Sequence, residues 1–141
     1  MKKFLLVFFV AMLAGCMQNT TNVGKSQVDR SQLMLVSSDE INEASVKAYN
    51  EVIAQAKSEN KLNKDIKLTK RVKTISNKLI AKAPYFREDS AKWNWEVNVI
   101  TSDTINAWCM AGGKIAVYTA IVEKLKLNDD EIAFILAHEI A

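Results

Sequence analysis

Between residues 37 and 119 the apolar residues of this chain change period, and that change restricts the fold more than any other feature. Ile41, Ala44, Ala48, Val52 and Ala56 recur at helical spacing, which predicts one buried helix face and a helix from Ser37 to about Asn60. Ser37 with Glu40 three residues on fits a capping box, in which each side chain satisfies a backbone N–H that the helix leaves unpaired. Leu68, Val72, Ile75 and Leu79 predict a second helix, closed where Pro84 removes a donor and restricts Ala83. The period then falls to two. In "WNWEVNVIT" Trp93, Trp95, Val97 and Val99 alternate with Asn94, Glu96 and Asn98, the pattern of a strand with one buried face. The stretch Ile105 to Ala111 meets Gly112 and Gly113 and resumes as "KIAVYT"; both glycines tolerate positive φ, so a tight hairpin is expected there. A short helix from about Ala120 to Lys126 should follow. Asn128 with Glu131 then opens a last apolar helix, "LNDDEIAFILAHEIA", whose Asp129 and Asp130 suit the positive end of the helix dipole. Amino-terminal helices, a small antiparallel sheet with a Gly-Gly hairpin and a closing helix make an α+β fold, without crossover units or internal repeats.

The amino terminus does not belong to that domain. Lys2 and Lys3 precede a ten-residue apolar run, Phe4 to Leu13, too short for a permanent membrane span, so residues 1–15 read as a secretory signal. The sequence "LAGC", Leu13 to Cys16, resembles a bacterial lipobox, which implies cleavage before Cys16 and acylation of that cysteine. Several acyl chains make a stable membrane anchor. Residues 16–36, rich in Gln, Asn, Thr and Ser, are then expected as a lipidated flexible tether, and residues 37–141 as the folded part. The expected location is the cell envelope. Met17 in place of an aspartate after the acylated cysteine resembles outer-membrane sorting, with the domain facing the periplasm.

Loss of Lys2 and Lys3 with the signal brings the charge balance close to neutral, which argues against nucleic acid as a partner. With Cys16 acylated, Cys109 has no disulfide partner in the chain. Lys64, Lys67, Lys70, Arg71, Lys73, Lys78 and Lys82 make the second helix basic, either as a solvated face or as a contact for anionic headgroups.

The chain closes on "FILAHEIA". At 100° per residue, His138 and the position after Ala141 lie about 40° apart on one helix face. The motif H-E-x-x-H uses that spacing: histidines at i and i+4 hold Zn²⁺, and the intervening glutamate serves as base for the metal-bound water. The second histidine would be the next residue. A lone His-Glu pair carries little by itself; its context carries more. Asn106 and Ala107, then Gly112 and Gly113, Ile115, Thr119, an acidic helix start and "HEIA" together resemble the zinc endopeptidases of metallopeptidase family forty-eight, the HtpX- and LoiP-like group, over about residues 37–141.

That resemblance implies His138 as first zinc ligand and Glu139 as general base. It implies that the strand from Asn106 to Ala111 borders the cleft and adds an extended or unfolded polypeptide as a further strand, with Asn106, Ala107, Gly112 and Gly113 as substrate-binding positions. Sheet geometry alone would also account for those four residues. Ala111 stands where family members often have proline. The second histidine, the third ligand and any oxyanion stabiliser are absent, so the sequence is expected to be the amino-terminal part of such an enzyme, cut within its catalytic helix and inactive alone. The competing reading is a non-catalytic peptidase-like lipoprotein that binds unfolded chains or scaffolds envelope complexes. Cys109 reads as packing ahead of a nucleophile or ligand, and Trp93, Trp95 and Trp108 as mostly core ahead of stacking platforms.

Overall fold

A computed structural model describes residues 17–19, 31–33 and 37–141. The signal (1–15), the acylation site Cys16 and most of the expected tether (16–36) lie outside the described residues. Within that tether two short strands, β1 (Met17–Asn19) and β2 (Ser31–Leu33), pair antiparallel with Met17 opposite Leu33.

Helix α1 spans Ser38–Ser58 and opens on the expected capping box: the Ser37 hydroxyl accepts from Glu40 N, and Ser37 N donates to the Glu40 carboxylate at 3.0 Å. The face it buries is rotated from the predicted one. Tyr49 and Ala56 are buried while Ala44 and Ala48 are exposed: Val52, Ile53 and Ala56 pack toward Ile100 and Ala116 of the sheet, and Tyr49 on the same face meets Asn98. Helix α2 (Ile66–Ile80) buries Leu68, Val72 and Ile75 as expected and is capped by Asp65, whose carboxylate accepts from Leu68 N at 2.8 Å. Pro84 does more than end it. It occupies the first turn of a four-residue helix, α3 (Ala83–Phe86), where its missing N–H costs nothing. A 3₁₀ turn over Glu88–Lys92 leads into the sheet.

The sheet consists of β3 (Glu96–Ile100), β4 (Ala107–Met110) and β5 (Lys114–Tyr118) in the order β3-β5-β4. The hairpin β4–β5 is antiparallel, with Cys109 opposite Ile115, but β3 runs parallel to β5, so the sheet is mixed where an antiparallel one was expected. The reason is β4 itself: the chain leaves β3, crosses to the far edge and returns through the glycine turn between its two neighbours. β3 is also shorter than the alternation suggested. Trp93 and Trp95 precede it, held by Trp95 Nε1 donating to Ser90 O at 2.9 Å and by Arg87 over the Trp93 ring.

Both faces of the sheet are covered. Val97, Val99, Ile115, Val117 and Ala107 pack against α2 and against α5 (Asp129–Ile140), with Ile132 and Leu136 fully inside. The opposite face meets α1, where Ala56, Ile100 and Ala116 form a second cluster. Asn98 therefore points into protein: its Nδ2 donates to the Tyr49 hydroxyl at 2.7 Å, and its Oδ1 accepts from Asn63 Nδ2 at 2.7 Å. Helix α4 (Thr119–Lys124) links the sheet to α5. The α+β class stands, and none of the described helices is long and apolar enough to cross a membrane.

Candidate functional site

The last turn of α5 carries His138 and Glu139, and the contacts that aim it begin at the other end of the helix. Asn128 Oδ1 accepts from Glu131 N at 3.0 Å while Asn128 N donates to the Glu131 carboxylate at 2.8 Å, closing the predicted capping box. Arg71 on α2 adds a clamp, donating through Nε to Asp129 at 2.6 Å and through Nη2 to Leu127 O at 2.9 Å. The Leu127 and Asp129 contacts flank the cap, so the basic helix fixes where the last helix starts. Ile132 and Leu136 then set its rotation.

With that rotation the four residues of the last turn point different ways. His138 is exposed, Glu139 is half-buried, and Ala137 and Ile140 face an apolar cavity of about 380 Å³ shared with Leu79, Phe86, Trp93 and Trp95. Glu139 lies toward β4, close enough that its charge acts on Cys109: burial first, and the Glu139 carboxylate second, push the thiol up to about 11. A thiol so disfavoured as a thiolate is a poor nucleophile, and Cys109 packs against the core cluster.

β4 is paired to β5 on one side only, so among the described residues its other side is a free sheet edge. The four positions expected to bind substrate sit along this hairpin, with different freedoms. Asn106 is exposed just before β4, and its carbonyl accepts from Tyr118 N at 3.0 Å. Ala107 turns its methyl into the core, leaving only its backbone for an added strand. Gly112 and Gly113 take φ of 78° and 77°, as the tight turn requires. Gly113 has a further constraint, because a Cβ there would stand 2.5 Å from Trp95 Cδ2. These two glycines build the hairpin that presents β4.

Sequence reasoning missed Arg71 as a clamp, the Cys109–Glu139 proximity and the buried Lys114. Lys114 Nζ donates to Glu96 at 2.7 Å and to the Asn94 carbonyl, tying the hairpin to the start of β3. The opposite charges of Glu96 and Lys114 were a usable signal once parallel pairing is known, since they are direct partners in the register.

The model of peptidase family M48 matches residues 67–141, from the start of α2 to the end of α5. The chain belongs to peptidase family M48. Among curated proteins this M48 chain is similar to the metalloprotease YcaL of Escherichia coli (strain K12), with 33% identity over 132 residues, covering 92% of this chain and 48% of that protein. It is also similar to the mitochondrial metalloendopeptidase OMA1 of Arabidopsis thaliana, 38% identical over 47 residues, or 33% of this chain and 10% of that protein. The chain thus spans about half the length of the first relative and a tenth of the second. No solved structure matches it.

The metal that an M48 metallopeptidase uses finds only part of a site here. His138 is a donor of the right kind with Glu139 beside it as the expected base, but no group of three His, Cys, Asp or Glu side chains among the described residues could hold an ion. A catalytic zinc needs three protein ligands and one open position.

Proposed function

We propose that this M48 chain forms the amino-terminal part of a zinc-dependent endopeptidase, anchored to a membrane of the cell envelope through acylated Cys16, that cleaves extended segments of misfolded or unassembled envelope proteins. The observation that carries the reading is the half-buried Glu139 set beside a free-edged β4. An extended polypeptide added to β4 would lie with its carbonyls near that carboxylate, held mainly by backbone hydrogen bonds and therefore with little sequence preference. That suits unfolded chains as substrates.

His138 would be the first metal ligand, its ring free to turn outward because nothing packs over it in the described fold. The remaining donors would come from the part of the peptidase fold that the longer relatives have and this sequence does not span. When bound, zinc supplies polarisation of the scissile carbonyl and of the attacking water. Glu139 takes the proton from that water at its carboxylate and passes it to the leaving amine.

Metal analysis of the complete protein tests the ligand assignment. Wild type should carry stoichiometric zinc and His138→Ala should lose most of it; full zinc content in His138→Ala would remove His138 from the site. The residue that follows Ala141 in the gene gives a second check, since the motif requires histidine there.

A further inference from the structure

We propose that the exposed face of α2 is a docking surface for an anionic phospholipid bilayer, which sets how the domain lies on a membrane independently of any lipid on Cys16. Helix α2 contains five basic residues, Lys67, Lys70, Arg71, Lys73 and Lys78, and no acidic one. Arg71 is used inward by Asp129. Lys67, Lys70, Lys73 and Lys78 are exposed, and none pairs with a carboxylate among the described residues. At 100° per residue these four fall within an arc of about 140°, centred opposite the buried Leu68, Val72 and Ile75. They form one stripe directed straight out from the core.

Acidic charge lies on two other helices, of which α5, packed beside α2, opens on Asp129, Asp130 and Glu131. Helix α1, on the other side of the sheet, carries Asp39, Glu40, Glu43 and Glu51 against Lys47 and Lys57. An anionic surface would attract the lysine stripe and repel both acidic segments, which favours contact through the stripe itself. An acidic protein would meet the same stripe, but one further residue favours a bilayer. Ile66, at the amino-terminal end of the stripe, is 81% exposed, an apolar side chain set among lysines that the described residues leave uncovered. At a bilayer that side chain can enter the headgroup boundary while the lysines hold the phosphates, although the main apolar face of α2 stays in the protein core. Between Lys70 and Lys73 the helix also has an open depression of about 320 Å³, edged by Ile66, Thr74 and Asn77.

The test is flotation of the full chain with vesicles of phosphatidylcholine alone and of phosphatidylcholine containing about one third phosphatidylglycerol, reading the ratio of binding to the two. The ratio cancels apolar contributions from the amino terminus. A lysine near an anionic surface contributes roughly fivefold in binding. The quadruple variant K67Q/K70Q/K73Q/K78Q should therefore lower the phosphatidylglycerol preference at least tenfold. A variant with the same charge change elsewhere, K47Q/K57Q/K92Q/K126Q, should lower it less than threefold. Both should melt with the wild type, since all eight side chains are exposed. Ile66→Ser should weaken binding to the anionic vesicles with its salt dependence intact. Equal loss in the two quadruple variants would reduce the effect to net charge and overturn the proposal. So would equal wild-type binding to both vesicles, or binding to polyglutamate that the α2 variant abolishes while vesicle binding persists.

Discussion

Glu139 and Cys109 illustrate how one residue's position reports on another. The thiol is raised from an ordinary 9.0 to about 11 by burial and then by the Glu139 carboxylate, so near pH 8 it has about a hundredfold less thiolate than a free cysteine. Iodoacetamide should therefore label native Cys109 roughly a hundredfold more slowly than the unfolded chain. Glu139→Gln removes the smaller cause alone and should speed labelling by a few-fold without changing the melting temperature. An unchanged rate in Glu139→Gln would separate the two side chains and dissolve the site geometry. His138 and Glu139 were legible in the sequence as a motif. Their unlike surroundings were not, because helical periodicity assigns faces and cannot say that β4 passes over one of them.

At the scale of elements, the Gly-Gly hairpin was fully readable from two glycines between apolar runs, down to the positive φ at both. What the sequence hid is that the two are not equivalent. An alanine at Gly112 meets nothing closer than Asn42 Oδ1 at 3.9 Å, so it costs only the left-handed backbone, about 1 to 2 kcal/mol. At Gly113 the same methyl collides with the Trp95 ring at 2.5 Å, and Trp95 is itself tied to Ser90. Gly113→Ala should exceed Gly112→Ala by at least about 1 kcal/mol in denaturant unfolding, the cost of displacing a packed side chain. Equal losses would mean that Trp95 does not pack on the turn. The parallel pairing of β3 with β5 escaped sequence reasoning for a related reason: alternation reports which residues share a face, and strand order depends on where the connection between β3 and β4 lies. The capping boxes of α1 and α5, by contrast, depend on residues three apart and came through unchanged.

For the whole molecule, burial of two weak acids sets an alkaline limit. Cys109 is raised from 9.0 to about 11 and Tyr49, mainly by burial, from 10.0 to about 12. Both are neutral when protonated, and the folded state keeps the proton longer than the unfolded one. Their contribution is therefore complete below about pH 9 and is lost as pH rises through 11 to 12, at no more than about 1.4 kcal/mol per pH unit for each proton. Melting temperature should decline from pH 9 upward, and Cys109→Ala should flatten the onset between pH 9 and 10 while leaving the Tyr49 component. A flat profile to pH 11 would contradict the burial of both groups. The same packing that buries them, α1 on one face and α2 with α5 on the other, is what carries Glu139 to the edge of β4. The most direct test of that arrangement is hydrolysis of an unfolded polypeptide by the complete protein, compared between wild type and Glu139→Gln with bound zinc measured in the same samples. The variant should retain zinc and lose at least about a hundredfold in kcat, the usual contribution of a positioned general base. Cleavage at the wild-type rate with zinc retained would contradict the account.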